Sequence, residues 1–134
     1  SGLIAARDGL GLTTKIVGVV AENTPCYALS FEAGKPVATN SSDTLADGMA
    51  CRTPDPAAVE VIHKGAERIV KVSEDEILAA MGDYFTDTHN VAEGAGAAPL
   101  AALLQEREKM GGKKVGLILS GGNADKELFA RVLG

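Results

Sequence analysis

Apolar residues recur along this chain in two rhythms: short unbroken runs rich in branched residues, and longer stretches at helical spacing. Lys15 to Ala21 (K-I-V-G-V-V-A) and Val115 to Leu119 (V-G-L-I-L) are of the first kind, the signature of strands buried in a parallel sheet. Arg68 to Val72 is a third, shorter strand candidate. Of the second kind, residues 3 to 10 place Leu3, Ile4, Ala6 and Leu10 on one helical face, and Gly9-Leu10-Gly11 ends that helix. Pro25 suits the first turn of a short helix over Cys26 to Phe31, with Asn23 or Thr24 as its cap and Gly34-Lys35-Pro36 as its stop. Asp55-Pro56 opens a helix through roughly Gly65, with Val59 and Ile62 inward and His63 beside them. Ser73-Glu74-Asp75-Glu76 is a capping box, and behind it Ile77, Leu78, Met81, Tyr84 and Phe85 share one face of an amphipathic helix.

The segment from His89 to Pro99 is made almost wholly of small residues and leads into a helix ending in the charged run Gln105 to Lys109. Pro99 is comfortable there if the helix begins near Ala98, and deletes a hydrogen bond if it begins at Glu93. Met110-Gly111-Gly112 turns the chain into the Val115 strand, and Asn123 is placed to cap a closing helix to Leu133. Strands alternating with helices, with no internal repeat, predict an α/β class: an open parallel sheet flanked by helices.

At 134 residues the chain fits one domain. Eighteen acidic residues against 13 basic ones, mixed along the sequence, give a net charge of −5 and argue against a nucleic-acid surface. No apolar run approaches the roughly 20 residues of a membrane helix and no signal sequence opens the chain, so no membrane association and a cytoplasmic location are expected. Cys26 and Cys51 form no C-x-x-C pair, so reduced thiols in packing roles are expected. His63 and His89 supply no H-x-x-x-H spacing, and no metal site is expected. Ser1 to Asp8 reads as a helix with no strand ahead of it, as though in the middle of something larger.

Three glycine-containing segments, Asp47-Gly48, Glu93 to Gly96 and Ser120 to Gly122, are candidates to converge on one ligand. Ligands of open α/β sheets bind beyond the carboxyl ends of strands, where Ser120-Gly121-Gly122-Asn123 falls. That turn could cradle a phosphate, meet a cofactor ring through Ser120, or be a plain strand-to-helix turn. Asp47-Gly48 is a ligand contact or a simple turn. Glu93 is an acid near a ligand or a first-turn acid favoured by the helix dipole. His89 reads more readily as a surface residue than as a base.

Together, Thr44-Leu45-Ala46-Asp47-Gly48, Val91-Ala92-Glu93-Gly94-Ala95-Gly96-Ala97-Ala98 and Leu119-Ser120-Gly121-Gly122-Asn123 resemble, in order and spacing, the serine/threonine dehydratases. These are pyridoxal-phosphate enzymes of the tryptophan-synthase-β type, or fold type II. The strand Ile16 to Val20 and the turn Gly34-Lys35-Pro36-Val37 extend the resemblance over nearly the whole chain, and threonine dehydratases are the nearest in look.

The resemblance implies that residues 1–134 are one partial domain, the C-terminal part of the large cofactor-binding domain. It puts Ser120 on the pyridine nitrogen, Glu93 and Gly94 near the ring, and Gly48 with Asp47 near the ring face and the substrate. Gly121, Gly122 and Asn123 would shape the turn. A hydroxyl is a weaker partner for the ring nitrogen than a carboxylate, and so moderates the electron sink. The implied reaction is β-elimination from a hydroxy amino acid, giving a 2-oxo acid and ammonia. The family's Schiff-base lysine in an S-x-K-x-R-G-like context, and its phosphate-binding glycine run, have no match here. No catalytic residue is therefore assigned, and the isolated chain is expected to be inactive. The racemase-like cation positions fall on Val20, Thr24 and Cys26, so no metal is assigned. A complementary N-terminal part of the same enzyme and a homo-oligomer are the expected partners. The alternative is a stand-alone, non-catalytic α/β module binding a small ligand or phosphate.

Overall fold

The computed structural model describes residues 1–134 as one layered α/β unit. In chain order it contains α1 (Gly2–Gly9), β1 (Val17–Ala21), α2 (Cys26–Ala33), a 3-10 turn (Asp47–Met49), α3 (Pro56–Gly65), β2 (Arg68–Val72), α4 (Glu74–Thr88), α5 (Gly94–Gln105), α6 (Arg107–Met110) and α7 (Lys126–Leu133). No helix is long and apolar enough to cross a membrane. The sheet is parallel and open, as the β-α alternation predicts: β1 pairs with β2 from Val17 opposite Arg68 to Ala21 opposite Val72. The core lies between β2 and the helices α4 and α5. Ile77 and Met81 of α4 pack there against Ala97, Ala98, Ala101 and Ala102 of α5 and against Val70 and Val72. Alanines on one partner let the two helices approach closely while the larger side chains of the other fill the space.

Most local signals operate as their chemistry dictates. The Asp55 carboxylate accepts the Ala58 N–H at 2.8 Å with Pro56 in the first turn of α3. The capping box of α4 is complete: Ser73 Oγ accepts the Glu76 N–H at 3.2 Å, and Glu76 accepts the Ser73 N–H at 2.7 Å. Gly34 stops α2 in the left-handed region at φ 67°.

Four expectations are corrected, and the open alternative at Pro99 is decided. Val115 to Leu119 joins no sheet: residues 114 to 120 make no backbone–backbone hydrogen bonds among themselves or to β1, because no strand lies beside them to complete a ladder. Helix α5 begins at Gly94, not near Ala98, with Pro99 inside it. One hydrogen bond is given up there, and the burial of Gly94, Gly96, Ala97 and Ala98 offsets it. Neither Asn23 nor Thr24 caps α2; its N-cap is Pro25, and the Thr24 hydroxyl donates instead to Met49 O at 3.1 Å. Asn123 does not cap the closing helix, whose N-cap is Asp125. His63 is exposed, its Nδ1 2.8 Å from Phe31 O on α2.

Across the outer end of the sheet, Arg68 Nε donates to Glu106 Oε1 at 3.0 Å, and its Nη2 bonds the second carboxylate oxygen. This two-pronged contact ties β2 to the end of α5. The Arg68 hydrogen bonds hold the Glu106 carboxyl below its ordinary 4.5.

Two outcomes follow. Ser73→Ala removes one cap acceptor and lowers the stability of the folded chain by about 1 kcal/mol, read as a lower urea midpoint at unchanged slope. A carboxyl depressed in the folded state contributes stability that is present above its unfolded pKa and lost as pH falls through the folded one. Acid unfolding of Glu106→Gln, followed by circular dichroism, therefore has a shallower pH dependence below pH 4.5 than that of the wild type.

Candidate functional site

Glu93 is the residue at which the three sequence-predicted segments meet. It is the N-cap of α5, in extended conformation, and its backbone N–H donates to Gly121 O at 3.0 Å. Its side chain turns the same way, and Oε2 accepts the Asn123 N–H at 3.1 Å. One residue thus grips the 120–123 turn from both its backbone and its carboxylate.

The glycines explain how close that grip is. A Cβ on Gly121 would stand 2.8 Å from the Glu93 carboxylate, and one on Gly96 would stand 2.6 Å from Gly121 O. At Gly96 the obstruction is backbone and leaves no room for a side chain, whereas at Gly121 it is the Glu93 carboxylate, which a side chain would push off the turn. On the other flank, a Cβ at Gly48 would stand 3.0 Å from the Cβ of Ala95 and 3.9 Å from Glu93 Oε1. Gly94 fits against Leu45 and Ala46 in the same way. Asp47-Gly48, Glu93 to Gly96 and Ser120 to Asn123 therefore form one continuous surface at the positive end of α5, which favours an electron-rich group.

Ser120 sits on this surface, exposed, and its hydroxyl enters none of the hydrogen bonds within the chain. It is free to serve a ligand. Asp47 is exposed too; its carbonyl accepts the Ala50 N–H at 3.0 Å and closes the 3-10 turn.

Glu74 belongs to the supporting frame in a way the capping pattern does not reveal. Its carboxylate accepts from Thr44 Oγ1 at 2.6 Å and from the Leu45 N–H at 2.8 Å. Helix α4 thereby holds the loop that carries Asp47 and Gly48. From sequence, Glu74 is only a first-turn acid, since its partners lie 29 and 30 residues away. His89 is a helix terminator, left-handed at φ 56°, with Nδ1 3.2 Å from Phe85 O.

The arrangement offers a hydroxyl, a carboxylate committed to backbone amides, and glycine backbone against which a flat ring can lie. The family described as "Pyridoxal-phosphate dependent enzyme" matches residues 1–121. An L-threonine ammonia-lyase of Thermotoga maritima is 35% identical over 99% of this chain and 33% of its own length. A phenylserine dehydratase of Ralstonia pickettii is 34% identical over 100% of this chain and 41% of its own length. Among solved structures, a threonine deaminase from T.th. superposes with a TM-score of 0.86 at 34% identity, covering 92% of this chain and 45% of that one. Maize serine racemase gives 0.85 at 26% identity, covering 98% and 41%. The chain spans between a third and about two fifths of the length of these curated relatives. With the family matched over nearly all of its residues and the fold shared with these enzymes, the chain belongs to the pyridoxal-phosphate dependent enzymes of fold type II, the group of the threonine and serine dehydratases.

Proposed function

We propose that this chain is the C-terminal part of the large domain of a threonine/serine ammonia-lyase, holding the ring-nitrogen side of its cofactor. The observation that carries this is the Glu93 grip on the 120–123 turn, which presents an uncommitted Ser120 hydroxyl beside glycine-lined backbone. Pyridoxal phosphate, when bound, supplies an electron sink for the removal of an α-proton. The chain's own residues supply position. Ser120 offers its hydroxyl to the ring nitrogen; Glu93 and Gly94 stand near the ring and Gly48 near its face; Asp47 lies toward the substrate. Gly121, Gly122 and Asn123 set the turn that aims Ser120.

What the chain does not supply is a base. None of its eight lysines, at 15, 35, 64, 71, 109, 113, 114 and 126, is in an S-x-K-x-R-G-like context. Release of a 2-oxo acid and ammonia from a hydroxy amino acid thus needs a lysine from the rest of the enzyme, in a cytoplasmic assembly.

The free edges of the sheet support such a partner. A groove of about 840 Å³ separates the unpaired edge of β1 from the extended segment at 113–118, with Val17, Val19, Ala102, Leu103, Val115 and Leu117 among its lining. Both banks carry backbone groups without ladder partners, and the floor is apolar, so an extended apolar strand fits between them. Relatives that are two to three times longer have chain enough to supply it. A stand-alone binding module would leave this groove bare.

The purified chain with added pyridoxal phosphate should release no 2-oxo acid from L-threonine or L-serine. Co-expression with the lysine-bearing part of the enzyme should yield a complex that does, with amide exchange slowed at Val17 to Val19 and Val115 to Leu119. Turnover by the chain alone, or the same protection arising from self-association with no second part, overturns the proposal. In the active complex, Ser120→Ala should lower kcat at least tenfold and shift the cofactor's absorbance band, while leaving the unfolding free energy from urea titration within about 0.5 kcal/mol of the parent.

A further inference from the structure

Two contacts join the start of α2 to the loop after the 3-10 turn. Thr24 Oγ1 donates to Met49 O at 3.1 Å, and the Asp55 N–H donates to the Tyr27 hydroxyl at 3.1 Å. Cys26 lies between Thr24 and Tyr27, and Cys51 between Met49 and Asp55, so the two contacts bracket the two cysteines and hold the segments that carry them against each other. Cys26 is fully buried; Cys51 is half-buried, with its N–H on Met49 O at 2.8 Å and its thiol donating to Thr53 O at 3.4 Å. Cys51 is the neighbouring side chain that bears on the Cys26 thiol. Sequence spacing hides the pair, which is separated by 24 residues of helix and loop.

We propose that Cys26 and Cys51 are a reversible thiol–disulfide pair that, when oxidised, locks the Asp47–Met49 turn onto the start of α2. Oxidised glutathione is the co-reactant. The half-exposed Cys51 thiolate attacks one sulfur of oxidised glutathione, the glutathione S–S bond breaks, and a mixed disulfide forms as one glutathione thiolate leaves. Cys26 then yields its proton to that leaving thiolate and attacks the Cys51 sulfur, and the second glutathione departs. Two protein thiols are oxidised by two electrons, and one oxidised glutathione becomes two reduced molecules.

The order of attack follows from the environments. Burial, reinforced by the Cys51 thiol, pushes Cys26 up to about 11, so at neutral pH it is a protonated thiol closed to solvent reagents. It resolves a disulfide begun at Cys51 and does not begin one. Cys51 follows the 3-10 turn by two residues, and Gly48 of that turn faces Glu93 and Ala95. A bond at Cys51 therefore anchors the chain two residues after the turn that carries Gly48. Any effect on the cofactor rests on the function proposed above; the bond itself does not.

The test titrates the intact protein in glutathione buffers of rising oxidised fraction, quenched by acid and alkylation. Expected is a fall from two free thiols to none, a loss of two hydrogen masses with no glutathione retained, and slower amide exchange at Asp47 to Ala50. Both cysteines lie in one tryptic peptide, since Lys35 precedes Pro36. Cleavage after Glu32 therefore separates them into two fragments that stay joined only without reductant. Cys26→Ser should stop at a glutathione adduct on Cys51, and Cys51→Ser, which leaves the core intact, should keep Cys26 reduced and unmodified. Two retained adducts, chain-to-chain dimers or an unreactive wild type overturn the proposal. A bond that forms without altering cofactor binding in the full enzyme leaves it standing and counts instead against the assignment of the ligand surface.

Discussion

The site depends on Glu93 holding the turn at Ser120 to Asn123. In a complete parallel sheet, a strand leading into such a turn is held by ladders on both sides, and the turn inherits its position from them. Here the approach through residues 113–119 has no ladder at all. What fixes the turn is the Glu93 N–H on Gly121 O, the Glu93 carboxylate on the Asn123 N–H, and glycine backbone packed without intervening side chains. A charged acceptor on a backbone amide is among the stronger hydrogen bonds available to a protein. Its anchoring at the start of α5 ties the turn to the best-packed helix of the core.

The rest of the surface is braced by the same means, carboxylates on backbone amides. Glu74 holds Thr44 and Leu45, Glu76 closes the cap of α4, and Asp55 caps α3. Helices α4 and α5 thus each carry one wall, and their mutual packing through Ile77, Met81 and the alanines sets the distance between those walls. The side of the molecule toward β1 is built differently. Its apolar groove and two open edges are the part of the structure that the chain's own residues leave unsatisfied, and exposed Val115 and Ile118 belong to it. An apolar surface of this kind marks an interaction site.

Much of this was legible in the order of residues. Helix starts at Asp55-Pro56 and Ser73 to Glu76 are local chemistry, complete within four residues, and they fold as written. The branched runs of β1 and β2 and the glycine stop at residue 34 are equally local. The candidate segments at 47–48, 93–96 and 120–122 could be named because glycine beside polar residues at element ends is a local pattern. That they converge was not legible, since the bond between Glu93 and Asn123 spans 30 residues.

The failures have a common physical origin. The apolar run at Val115 to Leu119 has the composition of a strand, but a strand is a relation between two segments, and no neighbour lies against it. Thr24 has the chemistry of a cap, yet Met49 O claims its hydroxyl; Asn123 is held by its backbone N–H on Glu93, and the helix begins two residues later with Asp125 as its N-cap. Pro99 disfavours a helix interior by one hydrogen bond, and the packing of small buried residues around it outweighs that loss. The sequence by itself determined the class of fold, the helix starts and the residue types available for chemistry, because those rest on contacts within a turn or two of chain. Only the tertiary structure decided which acids hold the candidate surface, that the segments of Cys26 and Cys51 lie against each other, and that the edge of β1 stands open, because each depends on groups brought together from far along the chain.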